Sequence, residues 1–219
     1  MSGAPVAAVI FDLDGVLVDT EPVHLAATRA LIAPATIDDE TYEGFIGRGG
    51  FKQWLAEHSG IPVDQIGPRY DELFLVALKA ANITPLEGAE AVLAAISARG
   101  LPIAVASQSS RSWVEATLDA ARLRGHFRTI ATAAEAGADK PAPDVYLRAA
   151  ALAGVAPEAC IAIEDSIPGV ASAHAAGMRV VQLRQASLTP PPQPDASVVI
   201  ERWSDFDERW LDGAAIGGE

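Results

Sequence analysis

The sequence predicts an α/β fold: a doubly wound parallel sheet with helices on both faces, carrying a helical insert directly after its first strand. Three observations predict it. From Leu86 onward, short apolar runs alternate with helical stripes, the pattern of parallel strands joined by helical crossovers. Residues 19–85 carry helical stripes and no convincing strand. Each apolar run ends in polar residues, and sheets of this kind use the carboxyl ends of their strands to build sites. The expected organisation is therefore a core of residues 1–18 and 86–219, with a helical unit of residues 19–85 spliced into it.

The first strand is the apolar run Val6 to Phe11, which stops at Asp12-Leu13-Asp14-Gly15. A helix follows: Asp19 or Thr20 suits its cap, Glu21 and Pro22 its first turn, and Pro34 interrupts it. Within the insert, Phe51, Trp54, Leu55 and His58 fall at helical spacing, as do Tyr70, Leu73, Phe74, Ala77 and Leu78. Those aromatic residues read as the insert's own core. Ile83 to Gly88 is a Pro- and Gly-marked return linker. The core then reads in order: a helix on Ala89, Val92, Leu93 and Ile96 that stops at Gly100, a strand over 102–106, a helix over 110–121, a strand over 129–132 and a helix over 144–153. A strand over 160–163, a helix over 167–176 and a strand over 179–183 complete the alternation. Residues 185–195 form a proline-rich loop, 196–200 an edge strand and 203–211 a closing helix.

Composition narrows the function classes. The chain has 219 residues, half of them hydrophobic, which suffices for a large core. Its formal charge of -13 repels nucleic acid and anionic membrane surfaces. The single cysteine, Cys160, forms no internal disulfide and sits among apolar residues. No apolar run approaches membrane-spanning length and no signal pattern opens the chain, so a soluble cytoplasmic protein is expected.

The strand ends carry the chemistry. Asp12 and Asp14 crowd the mouth of a buried strand, where like charges need a compensating cation. A carboxylate there can act as a nucleophile and its neighbour as a general acid and base, although Asp and Gly also favour simple turns. Ser107 closes the second strand and is followed by Gln108, Ser109 and Ser110; a hydroxyl and helix-start N–H groups suit an anion, or merely cap the next helix. Lysine occurs only at 52, 79 and 140, and Lys140 lies between rigid residues in Asp139-Lys140-Pro141-Ala142-Pro143-Asp144. It is either a fixed point charge or an exposed loop lysine. Glu164-Asp165-Ser166 ends another strand, where paired acids fit a magnesium site or a helix cap at Asp165 or Ser166.

Together, and in this order, these segments resemble the four motifs of the haloacid dehalogenase superfamily. The resemblance covers residues 6 to 184, and it makes the helical insert a C1-type cap on a Rossmann-like core. Asp19-Thr20-Glu21-Pro22-Val23-His24 further resembles the β-phosphoglucomutase-like branch. The resemblance implies that Asp12 attacks phosphorus to form an aspartyl phosphate. It implies that Asp14 protonates the departing oxygen, that Ser107 and Lys140 hold the phosphoryl group, and that Asp12, Asp14 (through its carbonyl), Glu164 and Asp165 hold Mg²⁺. His24, Arg48, Gln108, Ser109 and Arg111 are the candidate substrate contacts.

The reaction expected is hydrolysis of small phosphorylated metabolites, sugar or polyol phosphates, by a monomer. The alternative is a phosphohexomutase, in which a sugar hydroxyl replaces water. The mutases' cap stretch K-G-V-S-R corresponds here to Ile46-Gly47-Arg48-Gly49-Gly50, which lacks both end cations and favours the phosphatase. A phospho-aspartate receiver shares an acidic cluster and a lysine, but the cap would bury an aspartate that a receiver must expose.

Overall fold

The structure is a computed structural model and describes residues 5–45 and 50–216. The chain divides into two compact units, Met1–Asp19 with Thr84–Glu219, and Thr20–Ile83. The first strand, β1 (Ala8–Phe11), belongs to the larger unit and is buried at every residue.

The smaller unit is helical: α1 (Glu21–Ile32), α2 (Asp39–Glu43), α3 (Phe51–Ser59) and α4 (Val63–Ala80). Asp38 caps α2 by accepting from the Thr41 N–H, and Gly60 ends α3 in the left-handed conformation. Helices α1, α3 and α4 pack on one another around Leu31, Ile32, Ile37, Tyr42, Leu55, Ala56 and Ile66, with Phe51, Trp54, Tyr70 and Leu73 against that cluster. The aromatic stripes are thus largely the unit's core, as their helical spacing predicts.

In the larger unit the chain continues through α5 (Ala89–Ala98), β2 (Ile103–Ser107), α6 (Arg111–Ala120), β3 (Thr129–Thr132), a single turn α7 (Ala133–Ala136), α8 (Asp144–Ala153), β4 (Cys160–Glu164), α9 (Ile167–Ala175), β5 (Arg179–Leu183) and β6 (Val198–Ile200). All strand pairs are parallel and the sheet order is β3-β2-β1-β4-β5-β6. Ile10, Tyr146, Ala162, Val170 and Val180 lie in one fully buried cluster of the core. A fully buried Ile or Val side chain such as Ile10, Val170 or Val180 contributes about 1.5–3 kcal/mol. Among the described residues no helix is long and apolar enough to cross a membrane.

The strand order positions the site. The chain winds from β1 to β2 to β3, then returns to β4 on the opposite side of β1, so the direction reverses between β1 and β4. A crevice opens at the carboxyl ends of the strands at such a switch point. In register, Phe11 pairs with Ile163, which sets Asp12 beside Glu164. The segment after Asp14 turns sharply: Leu13 O accepts from both Leu17 N and Val18 N, and Gly15 adopts φ 77. Val18 then bridges Pro85 in antiparallel fashion, and Leu86 N donates to Leu17 O at 2.8 Å. The strands that leave the core for the helical unit and return from it are therefore hydrogen-bonded to each other.

One expectation needs correction. Residues 203–211 form two separate 3-10 turns, Trp203–Asp205 and Glu208–Trp210, rather than one helix. The acids intervene: Asp205 accepts from Arg202 N and Asp207 from Arg209 N, and such local bonds compete with a continuous helix. Trp203, Phe206 and Trp210 are nonetheless buried, and the Trp203 indole donates to Val16 O at 3.0 Å.

Candidate active site

Asp12, Ser107, Lys140 and Glu164 are all buried polar residues of the larger unit, and Lys140 is the hub of their arrangement. Its ammonium donates to Asp12 Oδ1 at 2.8 Å and to Glu164 Oε1 at 2.5 Å. Only 6% of Lys140 is exposed and none of Glu164, so these ion pairs lie out of bulk water. The loop that carries Lys140 joins α7 to α8, with a cis bond between Lys140 and Pro141. An exposed loop lysine is excluded.

Glu164 is saturated. Oε1 also accepts from the Tyr146 hydroxyl at 2.7 Å, while Oε2 accepts from the N–H groups of Asp165 and Ser166 and from Ser166 Oγ. Five donors occupy roughly four lone-pair sites. Ser166 in turn caps α9, its Oγ accepting from Gly169 N. The cap expected at Asp165 or Ser166 thus falls to Ser166, and Asp165 is left for the crevice. Gly169 is required here by space: a Cβ would lie 2.0 Å from the Glu164 carboxyl carbon.

Asp165 completes the acidic group. One carboxylate oxygen from each of Asp12, Glu164 and Asp165 lies within 4.8 Å of the others. A Cβ on Gly15 would meet Asp165 Oδ2 at 1.9 Å, so the turn after Asp14 passes against this carboxylate and tolerates no side chain. Burial, together with the charges of Glu164 and Asp14, outweighs Lys140 and raises Asp12 from 3.8 to about 7. Burial and the charges of Glu164 and Asp12 also hold Asp165 well above the carboxylate range. Burial draws the Lys140 ammonium down, but Asp12 and Glu164 more than compensate and keep it protonated. Acids concentrated in this way, with oxygen donors only, fit a hard divalent cation that would relieve their repulsion.

Asp14 lies at the edge of the group, where Ser109 Oγ donates to its Oδ2 at 3.0 Å. Ser107 is fully buried; its Oγ accepts from Ser109 N at 3.0 Å, which leaves its proton for another acceptor. Gln108 is exposed between these two serines. The structure therefore brings together Asp12, Asp14, Ser107, Ser109, Lys140, Glu164 and Asp165.

The other candidates are placed differently. Arg111 is engaged within the larger unit: its guanidinium donates to both Glu135 oxygens and to Ile130 O. The acid that claims it lies 24 residues on, on the one-turn helix α7 that the sequence did not reveal. His24 lies in the helical unit, with its ring between Tyr70 and Phe74. Arg48, and with it most of the Ile46–Gly50 stretch, lies outside the described residues. Sequence reasoning missed Tyr146, whose only signal was its place on the buried stripe of α8. Burial first, then the nearby charges of Glu164 and Asp12, raise the Tyr146 phenol well above its usual range, so it remains a donor.

A family model of haloacid dehalogenase-like hydrolases matches residues 6–177. The CbbY protein of Rhodobacter capsulatus is 34% identical over 189 residues, spanning 80% of this chain and 83% of its own. The fructose-1-phosphate phosphatase YqaB of Escherichia coli is 30% identical over 184 residues, spanning 81% of this chain and 96% of its own. Among solved structures, that of CbbY from Rhodobacter sphaeroides in complex with phosphate superimposes with a TM-score of 0.81 at 26% identity, covering 91% of this chain and 96% of the other.

Proposed function

The chain belongs to the haloacid dehalogenase-like hydrolases and is a phosphatase-type enzyme, and within that family we propose a magnesium-dependent hydrolase of sugar or polyol monophosphates that works through an aspartyl phosphate. The observation that carries this reading is the buried Lys140 ammonium on Asp12 Oδ1. It fixes the carboxylate through one of its two oxygens, and it supplies a cation for an incoming phosphoryl group. The similarity to a fructose-1-phosphate phosphatase supports the substrate class.

In this reading Asp12 attacks phosphorus while the bond to the departing alcohol oxygen breaks. Asp14, oriented by Ser109, gives that oxygen its proton. As a carboxylate, Asp14 then takes a proton from water, whose oxygen attacks the same phosphorus. Inorganic phosphate leaves and the Asp12 carboxylate is restored. Ser107 donates to a phosphoryl oxygen, and Lys140 stays charged throughout. Asp12, Asp165 and the Asp14 carbonyl would hold the cation, with Glu164 contributing charge from behind because its lone pairs are taken. Bound there, Mg²⁺ would offset the charge shared by the carboxylates and the phosphoryl oxygens. The single buried thiol of Cys160 is compatible with the reducing cytoplasm expected from the sequence.

The test is inorganic phosphate release from a panel of sugar, polyol and nucleoside monophosphates, with and without Mg²⁺, using Asp12→Asn as the control. Release that needs the metal and vanishes in the variant is expected. Undiminished release by Asp12→Asn would overturn the covalent mechanism. Isomer conversion without net release, in the presence of a bisphosphate, would establish the mutase instead.

A further inference from the structure

Tyr146 meets the Lys140 ammonium twice. Its hydroxyl donates to Glu164 Oε1 at 2.7 Å, the same oxygen that accepts from Lys140 Nζ. Its ring also faces the ammonium directly, with Nζ 5.2 Å from the ring centroid, within reach of a cation–π attraction. Both residues belong to one short stretch of chain, Lys140 in the loop before α8 and Tyr146 in the first turn of that helix. Between them, Ala142 O accepts from the Ser172 hydroxyl of α9 at 2.6 Å, which ties the loop down. All of these groups lie in the larger unit.

The lone pairs of Glu164 define what the phenol accomplishes. Each carboxylate oxygen offers about two acceptor directions. Tyr146 occupies one at Oε1, and the donors from Asp165 and Ser166 crowd Oε2. Lys140 is left with one direction of approach to Glu164. Its other acceptor, Asp12 Oδ1, lies at 2.8 Å. An ammonium carries three N–H groups, so two fixed acceptors set its rotation and with it the direction of the third. Removing the phenol hydroxyl would open both directions at Oε1. The ammonium would then swing between them, and its charge would stay in place.

We propose that Tyr146 is a positioning residue: by filling one acceptor direction of Glu164 Oε1 and backing the ammonium with its ring, it fixes the rotation of Lys140 so that the remaining N–H is turned to the phosphoryl group. The phosphoryl part rests on the phosphatase reading above. Attraction for a phosphate dianion follows the charge, which a swinging ammonium keeps. Stabilisation of the transferring group follows the direction of the N–H, which it loses. The hydroxyl should therefore act on kcat rather than on KM.

The first experiment does not need activity. The other lysines, Lys52 and Lys79, are exposed, whereas Lys140 is buried and its ammonium is sheltered from exchange with water. Side-chain ¹H–¹⁵N spectra of the full chain, labelled with ¹⁵N at lysine, should show one protected ammonium, absent from Lys140→Met. Tyr146→Phe, which keeps the ring and removes the hydroxyl, should speed its hydrogen exchange about tenfold, the weight of one hydrogen bond. Tyr146→Leu, which removes the ring as well, should speed it further. A wild-type chain without a protected ammonium would overturn the proposal, whatever the variants do. So would a Tyr146→Phe protein that folds and keeps the wild-type exchange rate.

A second readout separates positioning from support of the fold. Tyr146→Phe should release phosphate with kcat about tenfold lower and KM within about twofold of the wild type. An unchanged kcat, or a loss carried by KM, would refute the positioning role. No phosphate release by the wild type from any ester would instead remove the phosphatase reading, and the exchange spectra would still decide whether Tyr146 holds the ammonium.

Discussion

Replacing Glu164 with alanine is the sharpest structural perturbation of the site. In metal-free buffer the change strips five donors of one shared acceptor. The N–H groups of Asp165 and Ser166 and the Ser166 hydroxyl lie at the crevice, where water entering the vacated space can replace the carboxylate. Tyr146 has no such recourse, since it is fully buried, and stranding its hydroxyl costs about 1–3 kcal/mol. Breaking a buried ion pair costs about 3–5 kcal/mol. Lys140 keeps Asp12 as a partner, and removing one acid eases the repulsion among those left, so the low end of the sum applies, about 4 kcal/mol. For a urea dependence of about 3 kcal/mol/M, the unfolding midpoint should fall by about 1.3 M. Fluorescence of Trp113, Trp203 and Trp210, all buried in the larger unit, reports that transition. A fall of less than about 0.3 M would refute the view of Glu164 as the anchor of Lys140 and the β4–α9 turn. Glu164→Gln is the companion variant: every donor faces an oxygen in the wild type, so the amide NH₂ must confront a donor whichever way it turns.

Acid and metal should oppose each other at Asp12. Its folded value of about 7 lies above the unfolded 3.8, so its stabilising contribution is complete below about pH 4 and is lost as the pH rises to 7. Mg²⁺ should therefore raise Tm little at pH 5.5 and markedly at pH 7.5; thermal scans showing the larger rise at pH 5.5 would contradict this. Gly15→Ala places a methyl on Asp165 in a left-handed backbone, and should weaken Mg²⁺ binding at least tenfold in calorimetric titration, with a stability loss of about 2 kcal/mol. Tyr146→Phe should lower kcat about tenfold with little effect on KM, because the hydroxyl acts only through Glu164 and Lys140. Arg111→Ala should leave KM within about twofold, because Glu135 and Ile130 O already hold its guanidinium. A large rise in KM would restore Arg111 as a substrate contact.

Much of this architecture was legible because the sheet converts sequence order into spatial order. The apolar runs ending at Asp12, Ser107 and Glu164 became β1, β2 and β4, neighbours in one parallel sheet, so the residues just beyond them had to converge. Lys140 was legible as an unusual lysine between prolines, but its burial depended on α8 packing against three strands, which no local pattern encodes. Tyr146 illustrates the limit. Helical spacing identifies a buried face and is silent about which polar atom on that face finds a partner 18 residues away. The ion pair of Arg111 with Glu135 was equally hidden, because position after a strand end does not reveal a carboxylate 24 residues on. The contact of His24 with Tyr70 spans 46 residues and depends on the packing of α1 against α4. The C-terminal segment departs from the expected closing helix because Asp205 and Asp207 accept local backbone hydrogen bonds that interrupt the helical ladder.

The bridge between Val18 and Pro85, with Leu86 N on Leu17 O, has a consequence for heredity as well as for shape. With the outgoing and returning strands fastened side by side, the core meets everything between them as a single loop closed at its base. The entropy of closing a loop grows only logarithmically, about 0.6 kcal/mol for each doubling of length. Insertions, deletions or wholesale exchange of the helices beyond that clasp leave the strand order, and hence the convergence of Asp12, Lys140 and Asp165, untouched. A lineage built on this scaffold can revise its helical unit at little risk to how it reacts.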